Sequence, residues 1–144
     1  MKYSTKSSVI IYCDSDFVYK TFADIAHYSR NVLYSKKNKI LKKNIHGFYK
    51  EMQARLPDGS IYKSRSVVRF FPHKKTFRVR QTEGAIKGLN WRLNIEDLNK
   101  NVCKVNSEHR FDLYSVGKRP EIKEYIKFIE NELLISMKGL LDKK

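Results

Sequence analysis

The hydrophobic and polar positions of this chain change period three times between its ends. Residues 5–13, ending Val9-Ile10-Ile11-Tyr12-Cys13, are rich in β-branched and aromatic side chains and read as a strand. Asp14 and Ser15 then offer N-cap oxygens, and Asp16 suits a first helical turn. Val18, Phe22 and Ile25 recur at helical spacing. Residues 15–29 are therefore expected as a short helix or, in the version adopted for the fold, as two short helices broken near Asp24. Residues 30–46 are strongly basic and carry one weak strand at about 38–45.

From residue 47 the period is two. Segments 47–56, 61–71, 76–83, 89–96 and 102–114 alternate, and turn residues separate them. Pro57-Asp58-Gly59-Ser60 is a hairpin turn by composition, as are Pro72-His73-Lys74-Lys75 and Leu98-Asn99-Lys100-Asn101. Short strands at such regular spacing predict an antiparallel meander. After Pro120 the period becomes helical: Ile122, Tyr125, Ile126, Ile129, Leu133, Met137 and Leu140 form one stripe of a helix over 119–142. At 1.5 Å per residue that helix is roughly 35 Å long, enough to cross a sheet. One domain over residues 1–144 is expected.

Alternation assigns each side chain to a face. The cations Lys63, Arg65, Arg69, Arg78, Arg80 and Arg92 must face water, as must Lys104 and Arg110. Tyr62, Ser64, Ser66, Val68 and Phe70 then face inward, with Phe77, Val79 and Gln81 from the next strand. Trp91 and Leu93 follow, then Ser107, His109 and Phe111, while Phe48, Met52 and Ala54 contribute from 47–56. The inward set thus mixes aromatics with Ser64, Ser66, Gln81, Ser107 and His109. An unpaired buried polar group costs roughly 1–3 kcal/mol, so protein, water or ligand normally satisfies it. An apolar cavity with a few polar groups is how a small-molecule site reads. Its walls are expected from the inward residues named, with Tyr125, Ile129 and Met137 as a helical lid and Tyr28 at the entrance.

Composition modifies this picture in one respect. Thirty Lys+Arg against fifteen Asp+Glu give a net charge of +15, which favours association with polyanions such as RNA or the ribosome. The outward cations would carry such a contact; proteome-wide lysine enrichment explains the same number. Hydrophobic residues at 41% exclude a disordered chain. No apolar run approaches the roughly 20 residues of a membrane span, and the N-terminus lacks a secretory leader pattern, so a cytoplasmic location is expected. Cys13 and Cys103 form no CxxC or Cys/His pattern and are expected as reduced, buried hydrophobes.

Three stretches carry a family resemblance. Val9-Ile10-Ile11-Tyr12-Cys13-Asp14-Ser15-Asp16-Phe17-Val18-Tyr19 resembles the first strand, polar cap and helix start of START-like (SRPBCC) proteins. Ala23-Asp24-Ile25-Ala26-His27-Tyr28 resembles the segment that follows, although Ser29 stands where relatives often have proline. Glu83-Gly84-Ala85-Ile86-Lys87-Gly88-Leu89-Asn90-Trp91-Arg92-Leu93 is similar to the glycine-punctuated, tryptophan-bearing segment of the polyketide cyclase/dehydrase and coenzyme Q-binding members. The resemblance implies an α+β helix-grip fold: a curved antiparallel sheet of about seven strands around a long C-terminal helix. It also implies a small hydrophobic ligand (lipid, quinone or polyketide-like), held by a carrier or sensor. The alternatives it leaves open are a cyclase/dehydrase-type enzyme, or a ribosome-associated factor like the ribosome-association toxin relatives.

For catalysis, no nucleophile with a base, pair of inward carboxylates or metal-ligand set is evident. His109 is the one histidine expected to face inward, and Asp112, three residues on, points to the opposite face. No catalytic residue, metal or cofactor is therefore expected; His109, Ser107 and Gln81 are the groups that would help shape a substrate. Phe128 and Ile135 lie off the main helical stripe and suit a contact with 30–46 or a dimer, so monomer and homodimer both remain open.

Overall fold

The computed structural model describes residues 2–28, 35–44, 46–55, 61–84, 88–112 and 120–142. Side chains at 2, 24–28, 35–40, 42–44, 52, 54–55, 61–62, 120–123, 125 and 129 are not described. The expected positions Tyr28, Met52, Tyr62, Tyr125 and Ile129 fall in that set, and the 57–60 turn lies outside the described residues.

Seven strands form one antiparallel sheet: β1 (Lys2–Ile11), β2 (Ser35–Asn44), β3 (Gly47–Arg55), β4 (Ile61–Phe71), β5 (Thr76–Glu83), β6 (Asn90–Asn99) and β7 (Val102–Asp112). Their spatial order is β1-β7-β6-β5-β4-β3-β2, so β2 to β7 are a meander and β1 closes onto its last strand. The helices are α1 (Ser15–Tyr28) and α2 (Pro120–Leu141). The α+β helix-grip arrangement is as expected, with one correction. Residues 15–28 form a single helix rather than two short ones. The run contains no Gly or Pro, so nothing interrupts the i→i−4 ladder at Asp24.

Local chemistry sets the boundaries. Asp14 caps α1, its carboxylate accepting from the Phe17 N–H at 3.1 Å. The β6–β7 hairpin turns through Asn101 at φ 61°, a left-handed position that Asn tolerates better than most residues. Gly47 opens β3 where the backbone meets β4; a Cβ there would collide with the Val68 carbonyl oxygen.

The core lies on the concave face. Val68, Phe77, Leu93, Val105 and Cys103 from the sheet meet Val18 and Phe22 of α1 and Leu133, Leu134, Met137 and Leu141 of α2. On β4, Ser64, Ser66 and Val68 are buried while Lys63 and Arg69 are exposed, so the strand has the expected register. α2 packs on β1 and β7. Lys138 donates to the Ile10 carbonyl oxygen at 2.6 Å, and Asp142 accepts from the Tyr12 N–H at 2.8 Å. The helical stripe is rotated from the expected one. Leu140 is 46% exposed, whereas Ile126, Glu130, Leu133, Leu134, Met137 and Leu141 are buried. Phe128 and Ile135 are exposed, outside this stripe. Cys13 and Cys103 are free and buried, and desolvation pushes the Cys103 thiol up to about 11.

Candidate functional site

One inward row of side chains crosses six strands in register: Phe48, Val68, Val79, Trp91, His109 and Thr5. It is apolar from β3 to β6 and turns polar at its β7–β1 end. There the Trp91 ring stacks on the His109 imidazole, with centroids 5.6 Å apart and planes 7° from parallel. The indole Nε1–H donates to Ser107 Oγ at 2.8 Å, and that hydroxyl donates to Glu130 Oε2 at 3.1 Å. His109 Nδ1 meets the same carboxylate oxygen at 2.5 Å. α2 therefore places a fully buried glutamate against the histidine of β7, at the junction of helix and sheet.

This arrangement was not evident along the chain. Neighbours of His109 in sequence hold no inward carboxylate; the partner comes from a helix twenty-one residues away. One signal does mark it. Glu130 falls four residues after Ile126, three before Leu133 and seven before Met137, so it occupies a core position of the same stripe. Buried charges are found paired, and here the pairing group is a histidine. Chemically, a carboxylate that accepts from Nδ1–H fixes the imidazole tautomer and leaves Nε2 free to take or give a proton. The His109 side chain retains 12% exposure, so the cluster is not wholly sealed.

A second polar group lies on the same concave face. Lys50 pairs with Ser66, and Ser66 with Gln81, in one row across β3, β4 and β5. Lys50 is 5% exposed, and desolvation lowers its pKa to about 8. It shares the parity of Phe48 and Met52, so alternation placed it inward; its charge had kept it out of the expected set. Among the described residues, three further buried atoms, Thr5 Oγ1, Ser64 Oγ and Glu130 Oε1, have no hydrogen-bond partner. Lys127 Nζ stands 3.9 Å from Glu130 Oε1, beyond hydrogen-bonding range.

The other expected site residues divide clearly. Val68, Phe77, Leu93, Phe111 and Met137 are buried in the core, and Val79 and Trp91 are half-buried at its edge. Ser64, Ser66, Gln81 and Ser107 are buried as expected. The outward cations Lys63, Arg69, Arg78, Arg80 and Arg92 are exposed, and Arg65 is half-buried between Glu51 and Glu83. Arg69, Arg78 and Arg92 stand directly opposite one another on β4, β5 and β6. Like charges so placed are destabilising. Among the described residues none of the three has a carboxylate partner, and Arg78 lies over the Phe71 ring at 5.8 Å. Among the described residues no cluster of three His, Cys, Asp or Glu could hold a metal ion, and no helix is long and apolar enough to cross a membrane.

The fold has well-defined structural neighbours. The aromatase/cyclase Zhui from Streptomyces sp. R1128 superposes with a TM-score of 0.88 at 15% identity, over 99% of this chain and 95% of that one. A START superfamily protein from Mycobacterium smegmatis gives 0.74 at 13% identity, over 97% of both chains. Ara h 8.0201 gives 0.77 at 10% identity, over the whole of both. The fold is thus START-like. No protein-family model matches the chain, and no curated protein matches its sequence.

Proposed function

We propose that the protein binds a small hydrophobic ligand between the concave sheet face and α2, as a carrier or sensor. One observation carries this reading: polar groups gather on a face that is otherwise core. The row from Phe48 to Trp91 offers apolar contact, and Lys50, Ser66, Gln81 and the His109–Glu130 cluster flank it. Such a distribution suits an apolar body with polar ends. The fold neighbours include a protein named as an aromatase/cyclase, which fits a concave face that receives a polyketide-like molecule.

The His109–Glu130 pair favours a second reading, a cyclase/dehydrase-type enzyme on the same face. Proton abstraction next to a carbonyl, followed by loss of water, needs one group that takes and returns a proton. His109, oriented by Glu130, supplies that capacity through Nε2.

Ser66→Phe tests the ligand space directly. Where a space exists the larger ring fills it at little cost; a filled core would lose about 1–3 kcal/mol. The expected result is loss of apolar-probe uptake, followed by the fluorescence of Trp91, with stability close to wild type. Reversing Arg78 and Arg80 to Glu should leave uptake unchanged, because both project from the opposite face. If the double reversal abolishes function and Ser66→Phe does not, the outer basic face and a polyanionic partner replace this reading.

A further inference from the structure

The outer face of the sheet, turned away from the core, carries a row of guanidinium groups whose charge the chain leaves uncompensated. Arg69, Arg78 and Arg92 are directly opposite one another on β4, β5 and β6, and all three are exposed. Side chains so placed repel, and neutral ones would suit the sheet better. The carboxylates of that face are engaged elsewhere. Glu51 and Glu83 flank Arg65, and Glu96 stands opposite Lys104. Glu108, opposite Arg92, is held by Lys6 at 3.3 Å and Arg110 at 2.5 Å. Among the described residues the Arg69 and Arg92 side chains make no hydrogen bond or ion pair, and Arg78 meets only the Phe71 ring.

Adjacent strands lie about 4.8 Å apart, so the row offers one guanidinium per strand over about 10 Å. A guanidinium binds phosphate oxygens through two parallel N–H donors. Phe71, 38% exposed, lies two residues beyond Arg69 and places an accessible ring beside the cations. At its β6 end the row opens into a groove of about 560 Å³, where Asn94, Asn106 and Ser8 join Arg92 and every lining residue is polar or charged. Those three form the neighbouring row across β6, β7 and β1.

We propose that this face binds single-stranded RNA, with backbone phosphates on Arg69, Arg78 and Arg92, a base on the Phe71 ring and a ribose at Asn106 and Ser8. The face is opposite the ligand space, so the proposal does not rest on the ligand-binding reading. Stacking on an exposed ring needs a base free of its duplex, which favours a single strand. The surface is convex: a stiff duplex or a flat membrane touches it over a short stretch, whereas a flexible strand follows it. The net charge of +15 supplies long-range attraction, and the row supplies the local contacts. The groove selects ribose, because a side-chain amide and a hydroxyl can both bond the 2′-hydroxyl that deoxyribose lacks. Phosphates seated along the row also relieve the repulsion within it.

The test is fluorescence anisotropy of a fluorescein-labelled oligouridylate of about twelve nucleotides, titrated with protein over a salt series. Arg69→Gln/Arg78→Gln/Arg92→Gln should weaken binding by about tenfold or more at low salt. It should also flatten the logarithmic salt dependence by about 2, since each lost phosphate contact removes about 0.7 on a single strand. Its Tm should equal or exceed that of wild type, because the opposed like charges are gone. Should that variant fail to fold, Arg92→Gln alone flattens the slope by about 0.7. Lys20→Gln/Lys63→Gln/Lys100→Gln removes the same charge from exposed positions off the row and should leave affinity within about threefold. The matching oligodeoxyuridylate should bind several-fold more weakly. Absence of RNA binding by wild-type protein, equal losses in the two triple variants, equal affinity for the deoxy strand, or binding of phosphatidylserine vesicles in place of the oligonucleotide each overturns the proposal. Ser66→Phe should leave RNA affinity unchanged, so this proposal and the ligand-binding reading can fail separately.

Discussion

His109→Phe is expected to destabilise the protein by about 3–5 kcal/mol, the usual cost of leaving a buried carboxylate without its main hydrogen-bonding partner. Glu130 is fully buried, and His109 and Ser107 are its hydrogen-bonding partners. Losing the imidazole leaves the carboxylate with the Ser107 hydroxyl and a Lys127 ammonium too distant for a hydrogen bond. The same variant deprives Trp91 of its stacked partner, a smaller loss of about 0.5–1.5 kcal/mol that the Phe ring largely restores. The double variant His109→Phe/Glu130→Leu should recover most of the stability, because well-packed apolar groups replace such pairs at little net cost. Urea unfolding measures both. A single variant within about 0.5 kcal/mol of wild type would show that Glu130 does not sit against His109. The recovery matters for function: if the pair is dispensable for stability when removed as a unit, its retention in the native chain points to chemistry.

The second large effect concerns the closure of the core by α2. Leu134 is 2% exposed against the sheet, and its neighbour Ile135 is 62% exposed. Leu134→Asp places an unpartnered charge in the interior and should cost more than about 4 kcal/mol, a large part of a domain's usual stability. Ile135→Asp should change stability by no more than about 0.5 kcal/mol. Circular dichroism melts of the two variants, one residue apart, read the orientation of the helix directly. Equal effects would mean that the rotated stripe is misplaced.

The fold was legible in the chain because period decides it. Alternation in β4 to β7 returned the faces of Ser64, Val68, Phe77, Leu93, Val105 and Phe111 without tertiary information, since a slip of one residue would bury Arg69 and Arg78. The helical stripe was less sharply determined. Leu140 and Leu141 are adjacent and equally apolar, and only docking on β1 selects Leu141. Of the two expectations for residues 15–29, one helix or two broken near Asp24, the single helix forms, because the run holds no Gly or Pro to interrupt its ladder.

The site was legible only in part. Ser66, Gln81, Ser107 and His109 followed from strand parity. Lys50 and Glu130 follow from the same two periodicities, yet charge argues for exposure whenever residues are sorted by polarity first. Both sit at positions where the period demands burial: Lys50 between Phe48 and Met52, Glu130 between Ile126 and Leu133. A charged residue at a core position of a strong period is costly, and that cost is itself the signal for function. What no period supplies is the pairing of His109 with Glu130, because it depends on where a helix from the far end of the chain lands.

The central claim is that a small hydrophobic ligand occupies the space between sheet and helix, and native mass spectrometry of the purified protein addresses it most directly. The account predicts a mass above that of the bare chain, from a small hydrophobic compound that dissociates on denaturation and is absent from Ser66→Phe. Wild-type protein that is bare, and that stays bare after incubation with an apolar aromatic probe such as anthracene, would contradict it.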